Sequence, residues 1–126
     1  MIGTAVYTLL NAGVASVGGR IHPKMLPQNT PYPALTYEIV SDPRGETHDG
    51  PDGRVEARLQ VTAWSPSYAA VATASSEVRE AMNGFVGVAG DIRIWRVGHV
   101  GGRDLYDHEV HVHHRPVDYL IQYTED

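Results

Sequence analysis

Residues 47–84, THDGPDGRVEARLQVTAWSPSYAAVATASSEVREAMNG, read in order as a turn, a long strand, a capped helix and a helix stop. Val55, Ala57, Leu59, Val61 and Ala63 alternate with Arg54, Glu56, Arg58, Gln60 and Thr62. A period of two turns one side of a strand to the core and the other to solvent or a partner. Trp64 closes the strand. Ser65 offers an N-cap oxygen, and Pro66 fits the first helical position, where its missing N–H costs nothing. Val71, Ala74, Val78, Ala81 and Met82 then form one apolar stripe that stops at Gly84. Ala69, Ala70, Ala72 and Ala74 let that helix lie close to a sheet. The segment builds a scaffold and carries almost nothing able to do covalent chemistry.

Upstream, Ile2, Val6, Leu9, Leu10 and Val14 fall at helical spacing, which predicts a helix over about residues 2–17 stopped by Gly18-Gly19. Arg20 to Thr30 is a connector with a short strand near Ile21. Pro23, Pro27, Pro31 and Pro33 stiffen it. From Ala34 the chain alternates again, with Leu35, Tyr37 and Ile39 opposite Thr36 and Glu38. The stretch 41–53, SDPRGETHDGPDG, has too many Gly and Pro residues for a central strand. With strands on both sides it predicts the tip of a long projecting hairpin.

Downstream, Ile92 to Val97 predicts a third main strand, with Trp95 and Val97 on one face and Ile94 and Arg96 on the other. Gly98 to Asp107 reads as a loop. A last strand lies within His113 to Thr124, where Val117, Tyr119, Ile121 and Tyr123 alternate with Asp118, Leu120 and Gln122. The expected fold is α+β, one domain over residues 1–126 in the order α-β-β-α-β-β. Two helices would pack on one face of an antiparallel or mixed sheet of about four to five strands.

Bulk properties narrow the function. A chain of 126 residues with 42% hydrophobic and 20% charged residues is an ordinary globular domain. Its net charge of -5 argues against sequence-independent grip on nucleic acid, which depends on Lys and Arg neutralising phosphates. It has no cysteine, hence no disulfide, thiolate nucleophile or Cys-based zinc site, which fits folding in a reducing cytoplasm. The apolar N-terminal stretch lacks a preceding basic region and is interrupted by Asn11, so a signal peptide or membrane span is not expected.

The run HEVHVHH sets His108, His111, His113 and His114 close together. On an extended strand His111 and His113 would share a face, a spacing able to bind zinc or nickel. The competing reading is a polar strand entry whose histidines pack locally. With no cysteine and no helical HExxH, that reading prevails, and no metal or other cofactor is assigned. Asp107, His108 and Glu109 would diverge along a strand, which argues against an acid/base set. No GxSxG, P-loop or GxGxxG occurs. The sequence thus predicts no catalytic residues. Trp64, Trp95, Tyr37, Tyr119 and Tyr123 have no basic stripe beside them and read as sheet and core residues. Arg54, Glu56 and Arg58 alternate in sign on an outward face, either a solvated face or a self-complementary strip for a neighbouring copy.

PYPALTYEIV at 31–40, then 47–84, then VDYLIQY at 117–123 together resemble the tail completion, or tail-to-head joining, proteins of long-tailed bacteriophages and related gene-transfer agents. The likeness runs in order from about Pro31 to Tyr123. The histidine run departs from the family's pattern. The resemblance implies a non-enzymatic virion subunit, assembled in the host cytoplasm into a homo-hexameric ring at the head-proximal end of a tail. There it would end tail-tube polymerisation and join tail to head. Its partners would be the tail-tube protein and a head-completion or connector protein. DNA would pass through the lumen without specific binding, and no membrane would be involved. A head-side connector or stopper, or a tube subunit, is the alternative, and a metal-dependent hydrolase on His108–His114 the remote one. On this reading the hairpin and the strand behind it form the ring interface: Arg44, Glu46, His48, Asp49, Asp52, Arg54, Glu56 and Arg58.

Overall fold

The computed structural model describes residues 2–41 and 53–125. In chain order it has α1 (Ile2–Gly13), a 3-10 turn (Ala15–Val17), β1 (Ile21–Pro23), β2 (Ala34–Ser41), β3 (Val55–Ser65) and α2 (Tyr68–Met82). Then follow β4 (Gly87–Ala89), β5 (Ile92–Gly102), β6 (Leu105–Asp107) and β7 (Val112–Glu125). The class is α+β as expected, but the sheet has seven strands in the order β1-β2-β3-β7-β5-β4, with β6 on β7. It is mixed because β1 runs parallel to β2.

Period-two burial organises the centre. Ala57, Leu59, Val61 and Ala63 of β3 and Val117, Tyr119, Ile121 and Tyr123 of β7 are buried. They join Val6 and Leu10 of α1 and Val71, Ala74, Val78 and Met82 of α2 in one cluster. Each large aliphatic side chain buried there stabilises the fold by about 1.5–3 kcal/mol. β7 is the hub. It pairs with β3 from Val55↔Tyr123 to Ser65↔His113, and with β5 and then β6 along its other side.

Four sequence expectations need correction. First, α1 ends at Gly13 rather than near residue 17, and a separate 3-10 turn follows. Glu77 of α2 holds that turn, accepting hydrogen bonds from the Ser16 backbone N–H at 3.1 Å and from Ser16 Oγ at 2.7 Å. Gly18 does cap it, in the left-handed conformation at φ 55°. Second, the cap of α2 is Ser67, not Ser65. Ser65 is still paired to His113 in the ladder, so the helix starts later, and Ser67 Oγ accepts from Ala70 N.

Third, Trp95 does not share a face with Val97. A bulge between Ile94 and Arg96 keeps Ile94 and Val97 in the core and turns Trp95 outward. A bulge inserts one residue and resets the alternation behind it. Fourth, the supposed loop 98–107 is mostly strand. β5 runs on through Gly98, Gly101 and Gly102, and β6 follows. A Cβ at Gly102 would lie 2.7 Å from the Pro116 carbonyl oxygen, so glycine here permits close strand pairing. The expected β2–β3 hairpin is present as an antiparallel ladder from Ala34↔Trp64 to Ser41↔Arg58, and its tip, 42–52, lies outside the described residues.

Candidate assembly surface

Alternate residues of β3, β7 and β5 face away from the helices and make a polar outer surface. Arg58 stands opposite Leu120, Gln60 opposite Asp118 and Glu56 opposite Gln122. Asp118 bridges two β3 side chains, accepting from Arg58 Nε at 2.8 Å and from Gln60 Nε2 at 3.0 Å. Glu56 accepts from Gln122 Nε2 at 3.4 Å. At the far end of the strip the Arg54 guanidinium lies 4.3 Å from the Trp95 ring centre, with Arg93 at 5.5 Å. Trp95 Nε1 donates to Thr124 Oγ1 at 3.2 Å.

The predicted strip of Arg54, Glu56 and Arg58 is therefore one exposed surface, and each member has an intramolecular partner. Exposed ion pairs contribute about 0–1 kcal/mol. Such pairs orient the side chains and can be exchanged for contacts to another chain at little cost. Arg44, Glu46, His48, Asp49 and Asp52 lie outside the described residues. The residues that complete the surface are Trp95, Asp118 and Gln122. Asp118 and Gln122 were legible as the polar phase of the last strand. Trp95 was hidden by the bulge.

The histidine run folds as the β6–β7 hairpin. Asp107 Oδ1 accepts from the backbone N–H of Glu109 at 2.9 Å and of Val110 at 3.4 Å, which holds the turn. His111 sits in that turn with φ 56°, so it does not share an extended face with His113. Tyr106 gathers the run instead. Its ring lies 4.9 Å from His108 and 4.6 Å from His113, and its hydroxyl is 3.3 Å from His111 Nδ1. His114 faces the other way and stacks on Trp64 at 4.5 Å, with the rings 13° from parallel. Trp64 Nε1 in turn donates to Thr36 Oγ1 at 2.9 Å. Burial is the main influence on His114 and lowers its pKa, against the opposing pull of Asp107 and the Val112 backbone. Among the described residues, no three His, Asp or Glu side chains are placed to hold a metal ion. The arrangement packs rings and orders a hairpin.

The sequence pattern of the family described as "Tail completion protein gp17" matches residues 4–124. None of the curated proteins compared with the chain matches it in sequence. Among solved structures, a chain from the "Virion of native gene transfer agent (GTA) particle" shares the fold with a TM-score of 0.72 and 13% sequence identity. The superposition covers 94% of this chain and 90% of that one.

Proposed function

The chain belongs to the tail completion protein gp17 family, structural proteins of phage-type tails and their virions, and from that premise we propose a specific task for it. Copies assemble as a ring, a hexamer, at the head-proximal end of a tail. The ring ends growth of the tail tube and offers the surface to which the head joins. Its neighbours are the tail-tube protein below and a head-completion or connector protein above, and DNA crosses the lumen without specific contacts.

The observation that carries this reading is the outer face of the β3–β7–β5 sheet. It is exposed, alternates in charge along Arg54, Glu56 and Arg58, and ends in Trp95, whose ring lies near the Arg54 and Arg93 guanidiniums. Alternating charge suits a heterologous contact, in which one patch meets a different patch on the next copy and the rotation closes a ring. Trp and Arg are also the residues most often found to anchor interfaces. The net charge of -5 keeps such a ring from adhering to DNA.

Removal of the gene from its particle, followed by electron microscopy, tests the proposal. The expected outcome is tails of uncontrolled length or tails that fail to join heads. Length-controlled, head-joined tails in its absence would overturn the terminator role. A second measurement separates ring contact from folding: Glu56→Arg should leave the monomer folded yet prevent its incorporation. Normal incorporation of that variant would remove the strip from the interface.

A further inference from the structure

On the helix side of the sheet, between α2 and the ends of β5 and β7, lies a pocket of about 420 Å3. Its wall carries Arg79 from α2, Arg115 from β7, His99, and the buried Tyr119. These two arginines share that lining with one carboxylate, Asp104. Arg115 alone is committed to it, with Nε 2.5 Å from Asp104 Oδ1. Among the described residues, Arg79 has no side-chain hydrogen bond or ion pair.

Tyr119 is a second, independent sign. The residue is 0% exposed, and its hydroxyl has no hydrogen-bond partner. A buried hydroxyl left without a partner is destabilising, because it has lost its hydrogen bonds to water. Burial also pushes its pKa up to about 12, against the opposing charge of Arg79, so the phenol remains an O–H donor at neutral pH. A positively charged pocket with an unused donor in its wall, on a chain of net charge -5, calls for an acceptor with negative charge.

We propose that this pocket is a carboxylate-binding site, filled in the assembled particle by an Asp or Glu side chain of a neighbouring protein subunit. The planar fork of Arg79 supplies two charge-assisted hydrogen bonds, which are the strong ones for planar oxyanions. The Tyr119 hydroxyl donates a third. Asp104 selects the ligand's charge: its own carboxylate repels a phosphate dianion more than a single carboxylate. Arg115 and the Tyr68 hydroxyl (3.0 Å) already donate to that carboxylate at the pocket's edge.

The delivery by a neighbour rests on the assembly role above, whereas binding of the carboxylate does not, and the two are tested separately. The purified protein is titrated with the peptide acetyl-Gly-Glu-Gly-amide while the arginine Nε and His99 resonances are followed by NMR. Its Gln counterpart and inorganic phosphate serve as comparisons. Saturable shifts with a dissociation constant of about 1–10 mM are expected for the Glu peptide. The Gln peptide should bind at least tenfold more weakly, as should the Arg79→Gln variant with the Glu peptide. The conservative Tyr119→Phe should weaken binding severalfold while keeping the ring. Equal shifts with Glu and Gln peptides, no saturable shift, or tighter binding of phosphate would each overturn the carboxylate site. Lost peptide binding in Arg79→Gln with full incorporation into particles would overturn delivery by a neighbour alone.

Discussion

Gly13→Ala should destabilise this protein, although the same change stabilises most helices. A Cβ added at Gly13 would lie 2.6 Å from Ala81 Cβ, where two helices meet. Carbon atoms prefer separations of about 3.5–4.0 Å, so the approach is about 1 Å too close. Neither atom sits at the end of a flexible side chain that could swing away. Overpacking of this kind costs about 1–3 kcal/mol. Against it stands the reduced freedom of the unfolded chain, a gain of about 0.4–1 kcal/mol. The clash wins, leaving a net loss of about 0.5–2 kcal/mol. At this chain length that lowers Tm by about 2–8 °C. Gly3 is the control. It lies in the same helix, and a Cβ there would meet nothing within 4 Å, so Gly3→Ala should gain about 0.5–1 kcal/mol. Urea or thermal unfolding reads both. In the double variant, Ala81→Gly should relieve the clash, giving a coupling of about 0.5–3 kcal/mol. If Gly13→Ala matches or exceeds the parent in stability, or if the two changes simply add, the close helix contact is wrong.

Three further outcomes follow from the same geometry. Ile121→Ala at the fully buried centre of β7 should cost about 2–5 kcal/mol, and a loss below 1 kcal/mol would contradict its place in the core. His114 has a folded-state pKa below 6.5, so the unfolded chain binds its proton more readily. Its linkage therefore removes stability as pH falls from 6.5 toward the folded value, and His114→Gln should flatten that part of a stability–pH curve. Asp104 is held below its ordinary 3.8, first by the Arg115 hydrogen bond and less by Tyr68, with burial opposing. Its contribution is present above 3.8 and lost as pH falls through the folded value. Arg115→Gln should bring the Asp104 carboxyl back toward 3.8 in an NMR titration, and an unmoved value would refute that pairing.

The parts legible in the sequence share a cause. β3, the stripe of α2 and β7 each repeat one period over many residues, and tertiary contacts reinforce the period instead of interrupting it. What escaped reading lies where a single residue breaks the count. The bulge at Trp95 transferred the tryptophan from an expected inner face to the outer one, beside Arg54. The glycines of β5 suggested a loop, but Gly102 is needed because the Pro116 carbonyl approaches where a Cβ would stand. Ser65 had the right chemistry for a cap, yet its backbone was already committed to His113. The candidate surface was half visible for the same reasons. The outward phase of β3 named Arg54, Glu56 and Arg58, while their partners Asp118 and Gln122 depended on a register that no local pattern encodes. The carboxylate pocket had no signature, because Arg79 and Tyr119 are brought together only by tertiary packing.

The central position of β7 also sets an order of events. β2–β3 and β4–β5 are each local antiparallel pairs, but only β7, which follows every other strand in the chain, joins them. During synthesis the two halves of the sheet can form early, and neither can bury its shared face until residues 112–125 have emerged. Pairings this distant in sequence are slow to form, because the intervening chain loses its freedom first. Protection of β3 amides in a pulse-labelling experiment should therefore arrive together with that of β7. A chain interrupted before β7 therefore leaves both halves of the sheet without the strand that joins them.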